Sequence, residues 1–314
     1  MTRADVEAAA ARICGHVLRT PLRHSPALSK ATGATVFLKL EILQPTFSYK
    51  IRGATNAVLA LLERSGGGKP ALVTASAGNH GRALAHAAAV VGLPLTVYIA
   101  ANAPQTKRDA IRAAGAELRP CSDYDEAERR AKEHGATGSA LFISPYAHPD
   151  VIAGAGTVAL EILDEDPLTD TIVASIGGGG LISGMAIAAE GRARIVGGEV
   201  EASTPFTYSL AAGRIVPIDV GETIADGLSG NLDPDSPTFA LVRDLVQQVA
   251  VVSEQATTDA IRFVAAEERL IVEGAAAVAV AAVLSGRIDI RAKRAAIVLS
   301  GANIDTSKLT AILR

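Results

Sequence analysis

Residues Thr171 to Gly184 read TIVASIGGGGLISG. The first five, apolar and rich in β-branched side chains, predict a short buried strand. Four consecutive glycines follow, and beyond Leu181 the chain becomes alanine-rich, which predicts a helix. Glycine loses more backbone freedom on folding than any other residue, so four in a row signal a backbone that must come close to something. Without Cβ atoms, the N–H groups of Gly177, Gly178, Gly179 and Gly180 are able to close around a phosphate, and the helix start adds the positive end of its dipole. No Lys-Ser/Thr pair follows, and the GxGxxG dinucleotide spacing is missing. A flexible turn is the competing reading; a phosphate loop is the favoured one.

The same strand–loop–helix alternation extends outward in both directions. Strand candidates recur at 35–41, 71–76, 95–100, 117–121, 140–144, 171–176, 194–200, 248–253 and 294–300, with helices predicted at 53–65, 79–91, 104–114, 123–134 and 150–164. This alternation predicts an α/β fold with mainly parallel sheets and flanking helices. The glycines of RSGGGKP, 64–70, mark a boundary. Residues 67–146 then read as a compact β/α unit of their own, set between 1–66 and 147–314. The expectation is a smaller lobe inserted in a larger one, with a ligand at the carboxyl ends of the strands between them.

Composition narrows the function. Of 314 residues, 49% are hydrophobic and 20% charged, which suits a globular protein with a large core. A net charge of −3, no Trp and 4% aromatic residues leave no electrostatic or stacking surface for nucleic acid. Charges interrupt the N-terminal stretch, so it predicts an amphipathic helix and not a secretion signal. No apolar run reaches the roughly 20 residues that span a membrane, and GAAAVAVAAVLSG, 274–286, predicts a buried helix. The two cysteines, Cys14 and Cys121, form neither a disulfide framework nor a metal motif. A cytoplasmic protein is the default expectation.

Three further segments carry candidate chemistry. TASAGNHGRALA, 74–85, offers N–H groups and polar side chains from Ser76 to Asn79 at the start of a helix; Asn79 also has a plain reading as a helix cap. AAIVLSGANID, 295–305, ends a buried strand at Ser300. QPTFSYKIRGA, 44–54, places Lys50 among Pro45, Phe47 and Ile51. A lysine so flanked is either an ordinary helix-start residue or a nucleophile whose neutral amine is favoured by burial.

Together the segments resemble the fold type II pyridoxal 5′-phosphate enzymes, tryptophan synthase β-like in architecture, and within them the threonine/serine dehydratase group that includes serine racemases. SYKIRGA, SAGNHG, GGGGLISG, GETIADGLSG, IVEGAAAVAV and VLSGANID are similar to family segments in the same order. The resemblance implies pyridoxal 5′-phosphate as cofactor, linked through its aldehyde to Lys50, which then takes the Cα proton of the substrate. It implies that Gly177–Gly180 and Leu181 hold the phosphate, Asn79 the ring hydroxyl and Ser300 the pyridine nitrogen. Tyr49, where the family more often has Phe, is implied to lie against the ring, with Glu273 nearby. Ser76, Ala77, Asn79 and His80 are implied to receive the substrate carboxylate.

The implied reaction is β-elimination of a 3-hydroxy L-amino acid such as threonine or serine to a 2-oxo acid and ammonia. A serine at the ring nitrogen makes a weaker electron sink than an acid would, which suits prompt loss of the β-hydroxyl. Resemblance to dehydratases linked to hydroxyectoine use implies threo-3-hydroxyaspartate as the alternative substrate, with Arg52 or Arg82 as candidate partners for its second carboxylate. Serine racemases carry a second serine where this chain has Ala77, so racemisation is expected to be minor. The family's cation site is represented here by Glu199 and Glu201, with Pro205 and Thr207 near the usual Asp; Glu199 is the weak metal candidate. With the chain ending at Arg314, a catabolic homodimer without end-product regulation is the expectation. A binding protein that keeps the fold without the chemistry is the non-enzymatic alternative.

Overall fold

The computed structural model describes residues 1–66 and 68–314. Its strands are β1 (Leu22–His24), β2 (Thr35–Lys39), β3 (Leu72–Ala75), β4 (Leu95–Ala100), β5 (Glu117–Cys121), β6 (Leu141–Phe142), β7 (Thr171–Ser175), β8 (Arg194–Val200), β9 (Gln248–Val252) and β10 (Arg294–Val298). They form a six-stranded sheet in the order β1-β2-β10-β7-β8-β9 and a four-stranded sheet in the order β5-β4-β3-β6. Every ladder is parallel except β1–β2. Each of the nine expected strands is present. The addition is β1, an antiparallel edge strand whose three residues include Arg23 and His24, too short and polar to register as a strand signal. Gly67, where the smaller lobe is expected to begin, lies outside the described residues.

The strands of the smaller sheet all come from the stretch Leu72–Phe142, and those of the larger sheet from the chain on either side. Parallel strands need covering helices on both faces. In the larger sheet the helix Gly274–Leu284, apolar on all sides, is buried from Gly274 to Val283 and packs with Val173 and Val196 in one core. No helix of the described residues is long and apolar enough to cross a membrane. On the other face the helices Pro149–Glu165 and Gly180–Ala189 form a second core with Ile172, Ala174 and Val298.

The helix Pro149–Glu165 crosses both the helix Lys50–Arg64 and the helix Gly180–Ala189 at backbone contact. A Cβ on Gly154 would stand 2.6 Å from the carbonyl oxygen of Arg52, and one on Gly184 would strike the carbonyl of Ile152. The close crossing brings the Lys50 helix against the edge of the larger sheet. A buried ionic cluster fixes it there. Arg52 is fully buried; its Nε and Nη2 donate to the two carboxylate oxygens of Glu41 at 2.7 and 2.8 Å. Its Nη1 and Nη2 also donate to Glu161 at 2.6 and 2.8 Å, and Lys39 Nζ donates to Glu161 at 2.6 Å. Burial alone would push the Glu41 carboxyl up, but the adjacent guanidinium holds it below the ordinary carboxylate value.

The helix Lys50–Arg64 therefore begins three residues earlier than the sequence suggests, and Arg52 belongs to the core and not to a substrate pocket. Arg52→Met leaves the buried Glu41 without its main counter-charge. The expected loss is about 3–5 kcal/mol, read from the urea midpoint at unchanged m-value.

Candidate active site

Lys50 stands at the carboxyl edge of the larger sheet because the chain before it is zipped to the chain after β10. Tyr49 N donates to Ser300 O at 3.0 Å, Ala302 N donates to Phe47 O at 2.9 Å, and Ser48 bridges Gly301. Phe47 adopts a left-handed backbone (φ 57°), uncommon for an aromatic residue, and its ring is half exposed. The Lys50 amine is half-buried, 5.2 Å from the centre of the Tyr49 ring, and donates to the carbonyl of Pro145 at 2.7 Å. Pro145 follows β6 of the smaller sheet. One hydrogen bond thus joins the lysine to the second sheet.

The glycine loop follows β7 as expected, and the structure explains its composition. Tyr146 lies across it: a Cβ on Gly178 would overlap that ring, and one on Gly180 would stand 2.7 Å from the Tyr146 carbonyl oxygen. Gly179 has φ 85° and its Cβ would meet Phe206 at 2.6 Å. Thr238 Oγ1 donates to Gly178 O at 2.8 Å, and Tyr146 is itself held by Asp233 N, which donates to its hydroxyl at 2.9 Å. Among the described residues the N–H groups of Gly177 to Leu181 find no protein acceptor in the loop's own bonding. Such a row of free donors at a helix start is the chemistry a phosphate requires.

Asn79 is not a helix cap; Gly78 occupies that position. Its amide instead reaches across to the larger sheet. Nδ2 donates to Glu273 Oε1 at 2.6 Å, and Oδ1 accepts from Asn303 Nδ2 at 2.7 Å. Asn303 N donates to Glu273 Oε2 at 3.0 Å. Gly301 is required by this arrangement, since its Cβ would stand 2.5 Å from Glu273 Oε1. Burial, with Asp226 adding like charge, pushes the Glu273 carboxyl from its ordinary 4.5 up to about 7. Ser300 is buried at the end of β10, beside Tyr49.

The second loop curls over the first turn of the helix Asn79–Val91. Ser76 Oγ accepts from Gly78 N at 3.2 Å, and Ala77 packs toward the core of the smaller sheet. The His80 ring is buried; its Nε2 donates to Ile143 O at 3.2 Å and its Nδ1 has no partner. Burial first, and the charge of Lys50 second, push its pKa down to about 3. His80 is thus a neutral ring facing the sheet, and only its backbone is offered to the loop.

Glu199 is engaged elsewhere. Phe206 N and Thr207 N donate to its two carboxylate oxygens at 2.8 and 2.9 Å, so it caps the helix Pro205–Ala212. Glu201 accepts from Glu254 N at 2.9 Å. Among the described residues no cluster of three His, Cys, Asp or Glu could hold a metal ion. The sequence reading did not single out Pro145, Tyr146, Thr238 or Asn303. SPYAHP, 144–149, leaves a strand and carries an aromatic residue between two prolines, a signal too common to stand alone.

The residues present fit one cofactor class: free N–H donors for a phosphate, an amine without a carboxylate partner, and a serine and an asparagine around it. The family model described as pyridoxal-phosphate dependent enzyme matches residues 13–301. The chain belongs to this family. It is a pyridoxal-phosphate dependent lyase. An L-threonine ammonia-lyase from Thermotoga maritima is 37% identical over all of this chain and 78% of its own. A beta-hydroxyaspartate dehydratase from Paracoccus denitrificans is 36% identical over 98% of both chains. The solved structure of maize serine racemase superposes with a TM-score of 0.91 at 34% identity, covering 99% of this chain and 96% of its own.

For this pyridoxal-phosphate enzyme the Glu273 site predicts a pH dependence of stability. The folded carboxyl titrates near 7 and the unfolded one near 4.5, so the folded state binds the extra proton between those values. Stability falls as pH rises from about 4.5 to about 7 and is level above, by on the order of 3 kcal/mol in this group's contribution. Denaturation midpoints across that range are expected to show the decline, and Glu273→Gln to remove that component of the slope.

Proposed function

We propose that the chain catalyses β-elimination of a small 3-hydroxy L-amino acid, with threonine or serine as the simplest substrates, to a 2-oxo acid and ammonia. The observation that carries this reading is the Lys50 amine, which faces a carbonyl and not a carboxylate. A carboxylate would lock it as a permanent ion pair; the Pro145 carbonyl orients it without doing so. Bound pyridoxal phosphate supplies the electron sink for the Cα electrons. Lys50 takes the Cα proton and returns a proton to the departing β-hydroxyl, which leaves as water. The released enamine isomerises to an imine, takes up a water and yields the 2-oxo acid and ammonia, so the net reaction consumes no co-substrate.

In this reading Gly177–Gly180 and Leu181 hold the phosphate through backbone N–H groups. Asn79 keeps one amide hydrogen on Glu273 and turns the other to the ring hydroxyl. Ser300 meets the ring nitrogen, Tyr49 lies against the ring, and Glu273 stands beside it. Backbone N–H groups from Ser76 to His80 take the substrate carboxylate at the helix start. Residues 67–146 form the smaller, substrate-side domain, a reading supported by their separate sheet.

Likeness to L-threonine ammonia-lyase supports elimination. Likeness to serine racemase bears on a second reading, against which Ala77 stands. Racemisation needs a proton donor on the face of Cα opposite the lysine, and a methyl group supplies none. Ala77→Ser is expected to introduce D-serine formation from L-serine, measured by chiral chromatography; no D-isomer would show that the missing hydroxyl is not what limits it. The reading as a whole is tested by 2-oxo acid release from L-threonine, L-serine and L-threo-3-hydroxyaspartate. Lys50→Ala should lower turnover at least about a thousandfold. Release that survives in that variant, or no release from any substrate by the cofactor-loaded enzyme, would overturn it.

A further inference from the structure

Arg82 is one turn beyond Asn79 on the same helix, so the two side chains are neighbours on one face. Its Nη1 donates to Asn303 Oδ1 at 2.8 Å, and its guanidinium lies 5.1 Å from the centre of the Phe47 ring. Asn303 is rigidly held. Its Nδ2 donates to Thr46 O at 2.9 Å and Asn79 Oδ1 at 2.7 Å, and its N–H donates to Glu273 Oε2 at 3.0 Å. The guanidinium is therefore pinned by one of its five N–H groups, two hydrogen bonds away from Asn79.

What Arg82 lacks is an acid. Its pKa is lowered, and burial is the cause, with no neighbouring carboxylate raising it in return. Two other cations, Arg52 and Lys107, are committed to acids. Arg52 is sealed between Glu41 and Glu161, and Lys107 donates to Asp226 at 2.7 Å. A half-buried guanidinium without a counter-ion is unfavourable by itself. Held in place, with the rest of its planar fork unoccupied, it is built to receive a carboxylate in two-point fashion. The Phe47 ring, itself in a rare backbone conformation, lies 5.1 Å from the guanidinium carbon, within cation–π range.

We infer that Arg82 binds the distal carboxylate of the substrate, and that the site is built for a four-carbon 3-hydroxy dicarboxylic amino acid in preference to a neutral one. This deepens the elimination reading above and rests on it. With the α-carboxylate at the N-terminus of the helix Asn79–Val91, a second carboxylate one turn along the same face meets Arg82. A neutral side chain there leaves the guanidinium unpaired, which selects against threonine and serine.

The test compares kcat/KM for L-threo-3-hydroxyaspartate and L-threonine in the cofactor-loaded wild type, Arg82→Gln and Arg82→Lys. The wild type is expected to favour the dicarboxylate. Arg82→Gln should lower the ratio of the two values by about 100-fold, and Arg82→Lys, which keeps the charge and loses the fork, by less. In parallel, succinate should raise the melting temperature of the wild-type holoenzyme more than butyrate does, and Arg82→Gln should abolish that difference. A wild type that prefers threonine, or a ratio unchanged in Arg82→Gln, overturns the role of Arg82 while leaving elimination intact. If no substrate releases a 2-oxo acid, the elimination reading fails. The succinate arm then decides for Arg82: a difference lost in Arg82→Gln supports a carboxylate site, and one retained in that variant refutes it.

Discussion

The fully buried guanidinium of Arg52 is the constraint on which the rest of this structure depends. It lies two residues beyond Lys50 and is held from one side by Glu41, after β2, and from the other by Glu161, on the helix Pro149–Glu165. Three chain segments, one of them 109 residues from Arg52, must converge for the charges to be satisfied. Unpaired, any one of them would be far more costly than an exposed charge. The cluster is weak evidence for stability and strong evidence for register. It fixes where the helix Lys50–Arg64 begins, and with it the direction in which the lysine leaves the backbone.

Around that fixed point the site is assembled largely from backbone. The Lys50 amine is oriented by a carbonyl, the strip before it is zipped to the strip after β10, and the glycine loop presents N–H groups beneath the Tyr146 ring. Backbone groups have little conformational freedom left once the sheets are formed, so such a site is organised before any ligand arrives. The glycines are needed for closeness: Gly178 and Gly180 for Tyr146, Gly301 for Glu273.

Side chains enter where the two sheets face each other. Asn79 and Arg82 come from the smaller sheet's side, Glu273 and Asn303 from the larger, and they form one continuous line of hydrogen bonds. This line ties the rim where a substrate side chain would lie to the groups proposed to touch the cofactor ring.

Much of this was legible in the chain. Alternating apolar runs gave nine strands, because parallel strands buried on both faces are short, apolar and bounded by turns. Four consecutive glycines after one of those strands marked a backbone that must come close to something, and Tyr146 and Phe206 lie where their Cβ atoms would stand. Lys50, Asn79, Ser300 and Glu273 stood in segments similar to those of a known family; the structure bonds Asn79 to Glu273 and zips the chain before Lys50 to Ser300. What the chain did not disclose was partnership. Arg52 and Arg82 look alike in sequence, yet one is sealed between two glutamates and the other is left without an acid. Asn79, whose plain alternative reading was a cap, reaches 194 residues along the chain to Glu273, and Glu199, only a weak metal candidate, accepts from two N–H groups at a helix start. Local pattern determines which elements form and which backbone must be bare. Which charge is paired, buried or free depends on contacts between residues far apart in the chain, and those exist only after the sheets have closed on each other.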